Sequence, residues 1–371
     1  MRAGYTGVVD PALLGIAPLT APMAPAAALA RIGHLLDREL APSSKVRAYR
    51  RAAEIVLELG GDEIARRAEH GTLQELSGIG PSTAKVIAAA VAGEVPARLA
   101  ELEAGPGVDT TEAGAGYRRA LRGDCHSHST WSDGGASVEA MARAAMAQGH
   151  EYLVMTDHSP RLTVAHGLDR DRLLGQLDEI AALNADLAPF RVLTGIEVDI
   201  LDDGTLDQDD DLLARLDVVV ASVHSKLRMD RDAMTRRMVL AVASPHVDVL
   251  GHCTGRMVRS RAGAAGLEVA DKRPPSVFDA DMVFAACARF DTAVEINCRP
   301  ERQDPPDELL ELALEWRCKI AIDTDAHATG QLEWQGYGCD KAARHQVALD
   351  DIVNTWSADD LVEWAASHPD R

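Results

Sequence analysis

The last two thirds of the chain alternate short apolar runs with longer segments whose apolar positions follow helical spacing. Seven apolar runs, most of them rich in β-branched residues, extend from the short one before Asp124 to the one over 320–324. Helices are predicted over 137–148, 169–187, 230–243, 277–290 and 307–316. Strands alternating with helices pair in parallel, and near-continuous apolar runs suit strands buried on both faces. The pattern therefore predicts an α/β fold, a distorted barrel of seven β/α units.

The first hundred residues show helical periodicity only. Residues 26–103 are predicted to form several short helices, one of which stops at Gly60-Gly61. A Gly-Ile-Gly sequence at 78–80 predicts a tight turn between two of them. The expected organisation is a disordered or extended tail over 1–22, a small all-α domain over 23–104, a linker rich in Gly, Thr and Ala over 105–118, and the barrel over 119–371.

Composition narrows the possible functions. An apolar content of 46% indicates a globular protein, and a net charge of -20 argues against a broad, non-specific nucleic-acid binder. The six cysteines contain no Cys-x-x-Cys pair, so we expect reduced thiols and a cytoplasmic protein. The sequence contains no run of 18 apolar residues, so no membrane span is predicted. The sequence is compatible with a monomer and with an oligomer.

Metal-ligand side chains follow almost every predicted strand. His126 and His128 form a His-x-His pair, whose members face the same side of an extended strand. Active sites of α/β barrels lie at the C-terminal ends of the strands, so these side chains are expected to converge. Nine residues are candidate metal ligands: His126, His128, Asp133, His158, Glu197, His224, His252, Asp325 and His327. Any one histidine alone could instead be a hydrogen-bonded structural residue, but together the nine predict a polymetal site.

Seven sequence phrases carry a family resemblance. They are DCHSHSTWSDG, MTDHS, GIEVDI, SVHS, GHCTGR, EINCRPER and IDTDAH, within about 120–365. They resemble the PHP (polymerase and histidinol phosphatase) family of metal-dependent phosphoesterases, most closely the C-terminal PHP domain of bacterial family X DNA polymerases.

The resemblance implies three divalent metal ions. The first would be held by His126, His128, Glu197 and Asp325. Glu197 would bridge to the second, held also by His224 and His252. The third would be held by Asp133, His158 and His327. The mix of imidazole and carboxylate suits Zn, Mn or Fe.

Further residues are predicted to support the site. Arg256, Arg299 and Arg302 follow the fifth and sixth strands and are candidates to bind phosphate oxygens, although surface ion pairs would explain them equally well. Asp157, Asn297 and Asp323 could orient the ligands. With Glu197 as the bridging carboxylate, these arginines complete the predicted catalytic set.

The N-terminal domain carries a second resemblance. Residues 30–103 resemble the eight-kilodalton domain of bacterial family X DNA polymerases, and the glycine pair fits a helix-hairpin-helix turn whose backbone N–H groups bind a DNA phosphate. The predicted DNA-contacting residues are Gly78, Gly80, Lys85, Arg47, Arg50 and Arg51.

Two departures from that polymerase pattern limit the resemblance. The Schiff-base lysine of the lyase members falls at Val86, so no lyase activity is expected. The linker is also far too short to hold a polymerase palm. Residues 24–105 contain 10 basic and 11 acidic residues, which leaves open a relic or a protein-docking domain.

Two classes of function are predicted for a phosphate-ester substrate. One is a phosphoesterase on DNA ends or gaps, a 3′-5′ exonuclease or a 3′-phosphatase. The alternative is a small-molecule phosphatase, like histidinol phosphatase, with a relic DNA-binding domain. A non-catalytic DNA-end scaffold is disfavoured because no expected ligand position is empty.

Overall fold

The computed structural model describes residues 14–19, 21–108, 110–258 and 271–368. The chain divides into two compact units. The first contains the residues up to Gly107 together with Ala328–Gln331, and the second contains Val108–His327 and the residues from Leu332 onward.

The first unit is helical. Its core consists of apolar side chains from every helix, among them Leu29, Ile32, Tyr49, Ile87 and Leu99. The helices are α1 Pro25–Arg38, α2 Ser43–Leu59, α3 Gly61–Glu69, α4 Pro81–Val91 and α5 Ala97–Glu103.

Glycines end and join these helices. Gly60 ends α2 with a φ of 78°, in the left-handed region that glycine adopts without steric cost. Gly78, before α4, has a φ of 99°, and a Cβ there would lie 2.7 Å from Ile55 Cδ1. At the start of α4, the Gly80 N–H donates to Thr83 Oγ1 over 3.0 Å. The predicted tight turn at 78–80 is thus present.

The expected N-terminal tail is only partly outside the described residues. Residues 1–13 and 20 lie outside them, but the segment 14–19 is attached to the helices. The buried Arg31 guanidinium donates to the carbonyl oxygens of Gly15 (3.1 Å) and Ile16 (3.2 Å) and pairs with Glu103 at 2.6 Å. These bonds satisfy both the guanidinium and the carbonyls, and they hold this part of the segment against the helices.

The second unit is built on a seven-stranded parallel sheet, and the predicted barrel is confirmed. Six of its strand pairs are parallel, in the order β1-β2-β3-β4-β5-β8-β9. The strands are β1 Gly123–Asp124, β2 Tyr152–Met155, β3 Arg191–Asp199, β4 Val218–Ser222, β5 Val249–Leu250, β8 Ala293–Asn297 and β9 Ile320–Asp323; β6 Met257–Val258 and β7 Asp271–Arg273 form a separate antiparallel pair.

Helices connect these strands. Side chains of Ser137, Asp169, Asp230 and Asp279 cap four of them by accepting from a backbone N–H three residues later. The helices are α6 Glu112–Ala120, α7 Val138–Ala147, α8 Arg170–Leu187, α9 Asp210–Leu213, α10 Arg231–Val242, α11 Ala280–Phe290, α12 Asp307–Glu315, α13 Gln335–Arg344 and α14 Ala358–Ala366.

Buried side chains close the barrel between β1 and β9. The Asn354 amide donates to Asp323 Oδ1 (2.8 Å) and accepts from the Ile322 N–H (2.6 Å), and Asp323 Oδ1 also accepts from the Cys125 N–H (2.8 Å). A parallel bridge joins Ser127 to Ala326 just beyond these strands. The two short edge strands are therefore joined by side chains as well as by backbone.

Part of the expected linker is helical. Helix α6 begins at Glu112, where Thr111 caps it by accepting from the Gly114 N–H, and Thr111 itself donates to Asp340 of α13. Pairing with a later helix, which local composition does not reveal, thus orders a segment rich in Gly and Ala.

None of the helices described above combines the length and the apolar character that a membrane span requires.

Asn354 generates a stability prediction. Replacing it with Ala removes hydrogen bonds to buried groups of both edge strands, so Asn354→Ala is expected to lower the free energy of unfolding by about 2–4 kcal/mol. Chemical denaturation followed by circular dichroism measures it. Asn184→Ala is the matched control, because the half-buried Asn184 bonds only to Val192 and water can replace it. Equal losses in the two variants would contradict the closing role of Asn354.

Candidate metal centre

The nine predicted ligand residues lie together at the C-terminal ends of the strands. The Glu197 side chain lies at the centre of the cluster: it is 1% exposed and five imidazoles approach it, the farthest being His128, whose Nε2 lies 3.6 Å from Oε2. His158 Nδ1 lies 2.8 Å from Glu197 Oε2, while His252 Nε2 (2.9 Å) and His224 Nε2 (3.2 Å) approach Oε1. His126 Nε2 lies 3.4 Å from Oε2.

Three groups of ligand atoms have the spacing that one metal ion needs. Within each group the atoms lie within 4.8 Å of one another. The groups are His126, His128 and Glu197; His158, Glu197 and His224; and His128, Asp133, His158 and His327.

The remaining two predicted ligands border these groups. Asp325 Oδ1 lies 3.5 Å from His128 Nε2, and His252 contacts Glu197 as described above. The structure therefore brings all nine residues together, although the groupings share His128 and His158 differently from the sets that the resemblance implies.

Buried ring nitrogens without hydrogen bonds show that the site suits cations. His126 Nε2, both ring nitrogens of His128, His158 Nδ1 and His224 Nε2 are buried and lack a hydrogen-bond partner, as does Glu197 Oε2. Even the 2.8 Å contact between His158 and Glu197 lacks hydrogen-bond geometry. Such groups are costly to bury, and a bound ion explains several of them at once. Imidazole and carboxylate together fit Zn, Mn or Fe.

The pKa shifts have the same physical origin. Burial opposes ionisation of Glu197, but His224 and the neighbouring histidines hold its pKa well below the usual range. Burial lowers the pKa of His128 and keeps it neutral. Burial also opposes protonation of His224, yet Glu197 and Asp199 raise its pKa to about 9.

The backbone at Asp325 is strained. Its φ is 52°, in the left-handed region that non-glycine residues seldom adopt. Hydrogen bonds from Asn297 Nδ2 (3.2 Å) and Arg302 Nε (3.0 Å) hold its carboxylate. Strain maintained by surrounding contacts is characteristic of functional sites.

The three predicted arginines are placed differently. Arg302 contacts Asp325, and Arg299 Nη1 lies 3.1 Å from His327 Nδ1 and donates to the Asp325 carbonyl over 3.0 Å. Arg256 instead donates to the carbonyl oxygens of Arg302 and Gln303, which holds it against the loop after β8. Arg299 and Arg302 thus border the ligand cluster directly, whereas Arg256 braces the loop that carries them.

Of the three predicted orienting residues, Asn297 contacts a ligand as expected. Asp157 accepts from Ser129, Ser132 and Gln176, and so shapes the loop that carries Asp133. Asp323 lies in the barrel closure, where burial raises its pKa well above the usual range.

Two orienting carboxylates were not predicted. Glu295 Oε1 lies 2.6 Å from His126 Nδ1, and its Oε2 accepts from the His252 N–H over 2.5 Å. Asp199 Oδ1 lies 3.2 Å from His224 Nδ1. The sequence does contain a signal for these two residues, since each is an acid inside an apolar strand. Acids are rarely buried there without a partner, so their position indicates a buried partner.

The predicted DNA-contacting cations of the first unit differ in their exposure and in their ion pairs. Arg47 and Lys85 are exposed, whereas Arg50 pairs with Asp37 and Arg51 pairs with Glu54 (2.9 Å). Acidic neighbours thus engage two of the four cations.

Comparison with known proteins identifies the domain. Residues 124–261 match the model of the PHP domain family. The chain contains a PHP domain. The family predicted from the sequence phrases is thereby confirmed for these residues, and a metal-dependent hydrolase is consistent with it.

The proteins whose sequences are similar to this chain include a DNA polymerase and a probable phosphatase. The DNA polymerase/3′-5′ exonuclease PolX of Bacillus subtilis is 39% identical over 241 residues, 65% of this chain and 40% of that protein, so this chain spans less than half of it. A probable phosphatase of Thermoanaerobacter sp. is 27% identical over 252 residues, 64% of this chain and 88% of that protein.

One solved structure also resembles the chain. It is histidinol phosphate phosphatase from Lactococcus lactis, solved with zinc, L-histidinol and phosphate. Its sequence is 18% identical, it covers 60% of this chain and 94% of its own, and the TM-score of 0.39 is too low to support an inference.

Glu295 generates a prediction for the PHP domain. Glu295→Gln keeps the shape but removes the charge that orients His126, so metal affinity is expected to fall about 10- to 100-fold. Competition with a chromophoric chelator measures this affinity. Glu139→Gln is the control, since Glu139 pairs with Arg143 on helix α7. Unchanged affinity in Glu295→Gln would refute the orienting role.

Proposed function

We propose that this protein is a phosphoesterase with a trinuclear metal centre that hydrolyses phosphate esters on DNA ends, as a 3′-5′ exonuclease or a 3′-phosphatase. The observation that carries the proposal is the convergence of nine ligand side chains around Glu197, with several buried ring nitrogens lacking hydrogen bonds.

The proposed metal sets are those that the family resemblance implies. The first is His126, His128, Glu197 and Asp325; the second is Glu197, His224 and His252; the third is Asp133, His158 and His327. The contacts of Asp325 with His128 and of His252 with Glu197 support the first two. His128 and His158 each belong to two of the three groups of ligand atoms, which is compatible with ions bound close to one another.

The chain's own residues would divide the remaining work. Divalent ions held by these residues would supply Lewis-acid chemistry, which would lower the pKa of water and offset charge on phosphoryl oxygens. Glu197 would bridge two sites and hold negative charge between them. Arg299 and Arg302 would bind phosphate oxygens beside Asp325, and Arg256 would hold their loop in place. Glu295 and Asp199 would fix the rings of His126 and His224.

The choice of DNA ends rests on the first unit and on a relative. The turn at Gly78 and Gly80 and the exposed Arg47 and Lys85 could contact a phosphate backbone, as in the polymerase domain that this unit resembles. The Bacillus relative is named a 3′-5′ exonuclease. The buried free cysteines support a cytoplasmic location.

The alternative is a phosphatase for small phosphate monoesters. The Thermoanaerobacter relative, named a probable phosphatase, matches over 88% of its length. The net charge of -20 also favours a small substrate over a long polyanion.

Activity measurements separate the two functions. Metal-loaded protein is expected to release phosphate from 3′-phosphorylated DNA, or nucleotides from single-stranded DNA, faster than phosphate from histidinol phosphate, and His126→Ala is expected to abolish this. p-Nitrophenyl phosphate serves as the general ester. Turnover of small esters alone would establish the alternative, and no metal-dependent turnover of any ester would refute both.

A matched pair of variants tests the first unit in the same assay. Lys85→Glu is expected to raise KM for DNA and leave p-nitrophenyl phosphate hydrolysis unchanged. Arg66→Glu reverses a charge that pairs with Glu63 on α3 and is the control. Equal KM values for the two variants would remove the support that this unit gives to a DNA substrate.

A further inference from the structure

An open cleft of about 490 Å³ lies beside the metal centre in the second unit. It is formed by the loop after β1 and the loop after β2, the same loops that carry Asp133 and His158. Its polar lining consists of Thr130, Ser132, Thr163, His166 and Arg172. Its volume falls in the range of sites that hold small molecules.

The Arg172 guanidinium fixes the cleft walls to each other. It donates to the Trp131 carbonyl on one loop and to the His166 and Gly167 carbonyls on the other. A Cβ at Gly167 would lie 1.8 Å from the carbonyl oxygen of Ser159. The part of the β2 loop that contains Gly167 therefore packs directly against the segment after His158. The cleft is therefore a built feature and not a gap between loose loops.

The cleft adjoins the most open part of the ligand cluster. The Asp133 side chain is 37% exposed, more than that of any other ligand, and it follows Ser132 of the cleft wall. Asp133 Oδ1 lies 3.3 Å from His327 Nε2 and 3.6 Å from His158 Nε2. A phosphate ester reaching the cluster from this side would leave its alcohol portion in the cleft.

The chemistry of the lining restricts that alcohol. Hydroxyl groups donate and accept hydrogen bonds, while a guanidinium only donates and carries a positive charge. Among the described residues that line the cleft there is no carboxylate. Because the lining residues supply no carboxylate, an ammonium group would lose hydration next to Arg172, whereas hydroxyl and phosphate oxygens find donors in the lining hydroxyl groups.

We propose that this cleft seats the leaving group of the substrate, and that this group is an uncharged or anionic, hydroxyl-bearing alcohol such as a deoxynucleoside, not an amino alcohol. The proposal rests on the proposed phosphoesterase function and deepens it. According to this proposal, the loops after β1 and β2 of the barrel determine the substrate specificity.

Charge changes at Thr163 test the cleft. The full-length, metal-loaded protein is assayed with thymidine 3′-monophosphate, histidinol phosphate and p-nitrophenyl phosphate. Thr163→Glu is expected to lower kcat/KM for the nucleotide relative to histidinol phosphate by about five- to tenfold, the effect of one charge a few ångströms away. Thr163→Lys is expected to shift the ratio the opposite way.

The control adds the same charge elsewhere. Ala147→Glu lies at the exposed end of α7, near the N-terminal ends of the strands, and is expected to leave the ratio unchanged. A 3′-phosphorylated oligonucleotide is assayed in parallel, and the charge effect is expected with it as well. The substrate with the larger kcat/KM in the wild type shows whether the nucleoside belongs to a nucleic-acid end or to a free nucleotide.

The outcomes for the cleft and for the enzyme are distinguishable. If the wild type hydrolyses p-nitrophenyl phosphate but the two Thr163 variants leave the substrate ratio unchanged, or Ala147→Glu changes it equally, the cleft proposal is wrong and the phosphoesterase stands. If the wild type hydrolyses none of the esters, the proposed function itself fails.

Discussion

The structure depends on a buried carboxylate surrounded by imidazoles. Glu197 lies almost fully buried among His126, His158, His224 and His252, and many of the facing atoms lack hydrogen bonds. Bringing so many unpaired groups out of water is unfavourable unless cations bind between them. The proposed affinity for divalent metal would therefore follow from the fold, because the parallel strands bring these side chains together at one end of the sheet.

A second set of buried groups makes that convergence possible. Glu295 and Asp199 hold the rings of His126 and His224 from behind, and Asn354 joins the short edge strands of the barrel. Their hydrogen bonds satisfy polar atoms deep in an otherwise apolar unit. Ligand geometry and barrel closure thus both depend on buried polar contacts between residues that are far apart in the sequence. This arrangement explains how the apolar strand β8 accommodates the buried acid Glu295.

Much of this architecture could be predicted because it follows from local patterns. Apolar runs identified all seven strands of the sheet, and ligand-type residues at their ends indicated which side chains would meet. The orienting carboxylates were missed because their role is set by partners far away in sequence: Glu295 acts on His126, 169 residues earlier. The order of segment 14–19 was missed for the same reason, since it depends on Arg31 in a separate helix. The engagement of Arg256 by carbonyls of another loop likewise has no local signal.

Metal content tests the central claim most directly. Protein purified without chelator, reconstituted with Zn or Mn and passed over a desalting column can be analysed by inductively coupled plasma mass spectrometry. The account predicts about three ions per chain in the wild type and a clear loss in His126→Ala, as expected for a site of this ligand composition. Fewer than about one tightly bound ion per chain, with the same content in His126→Ala, would contradict it.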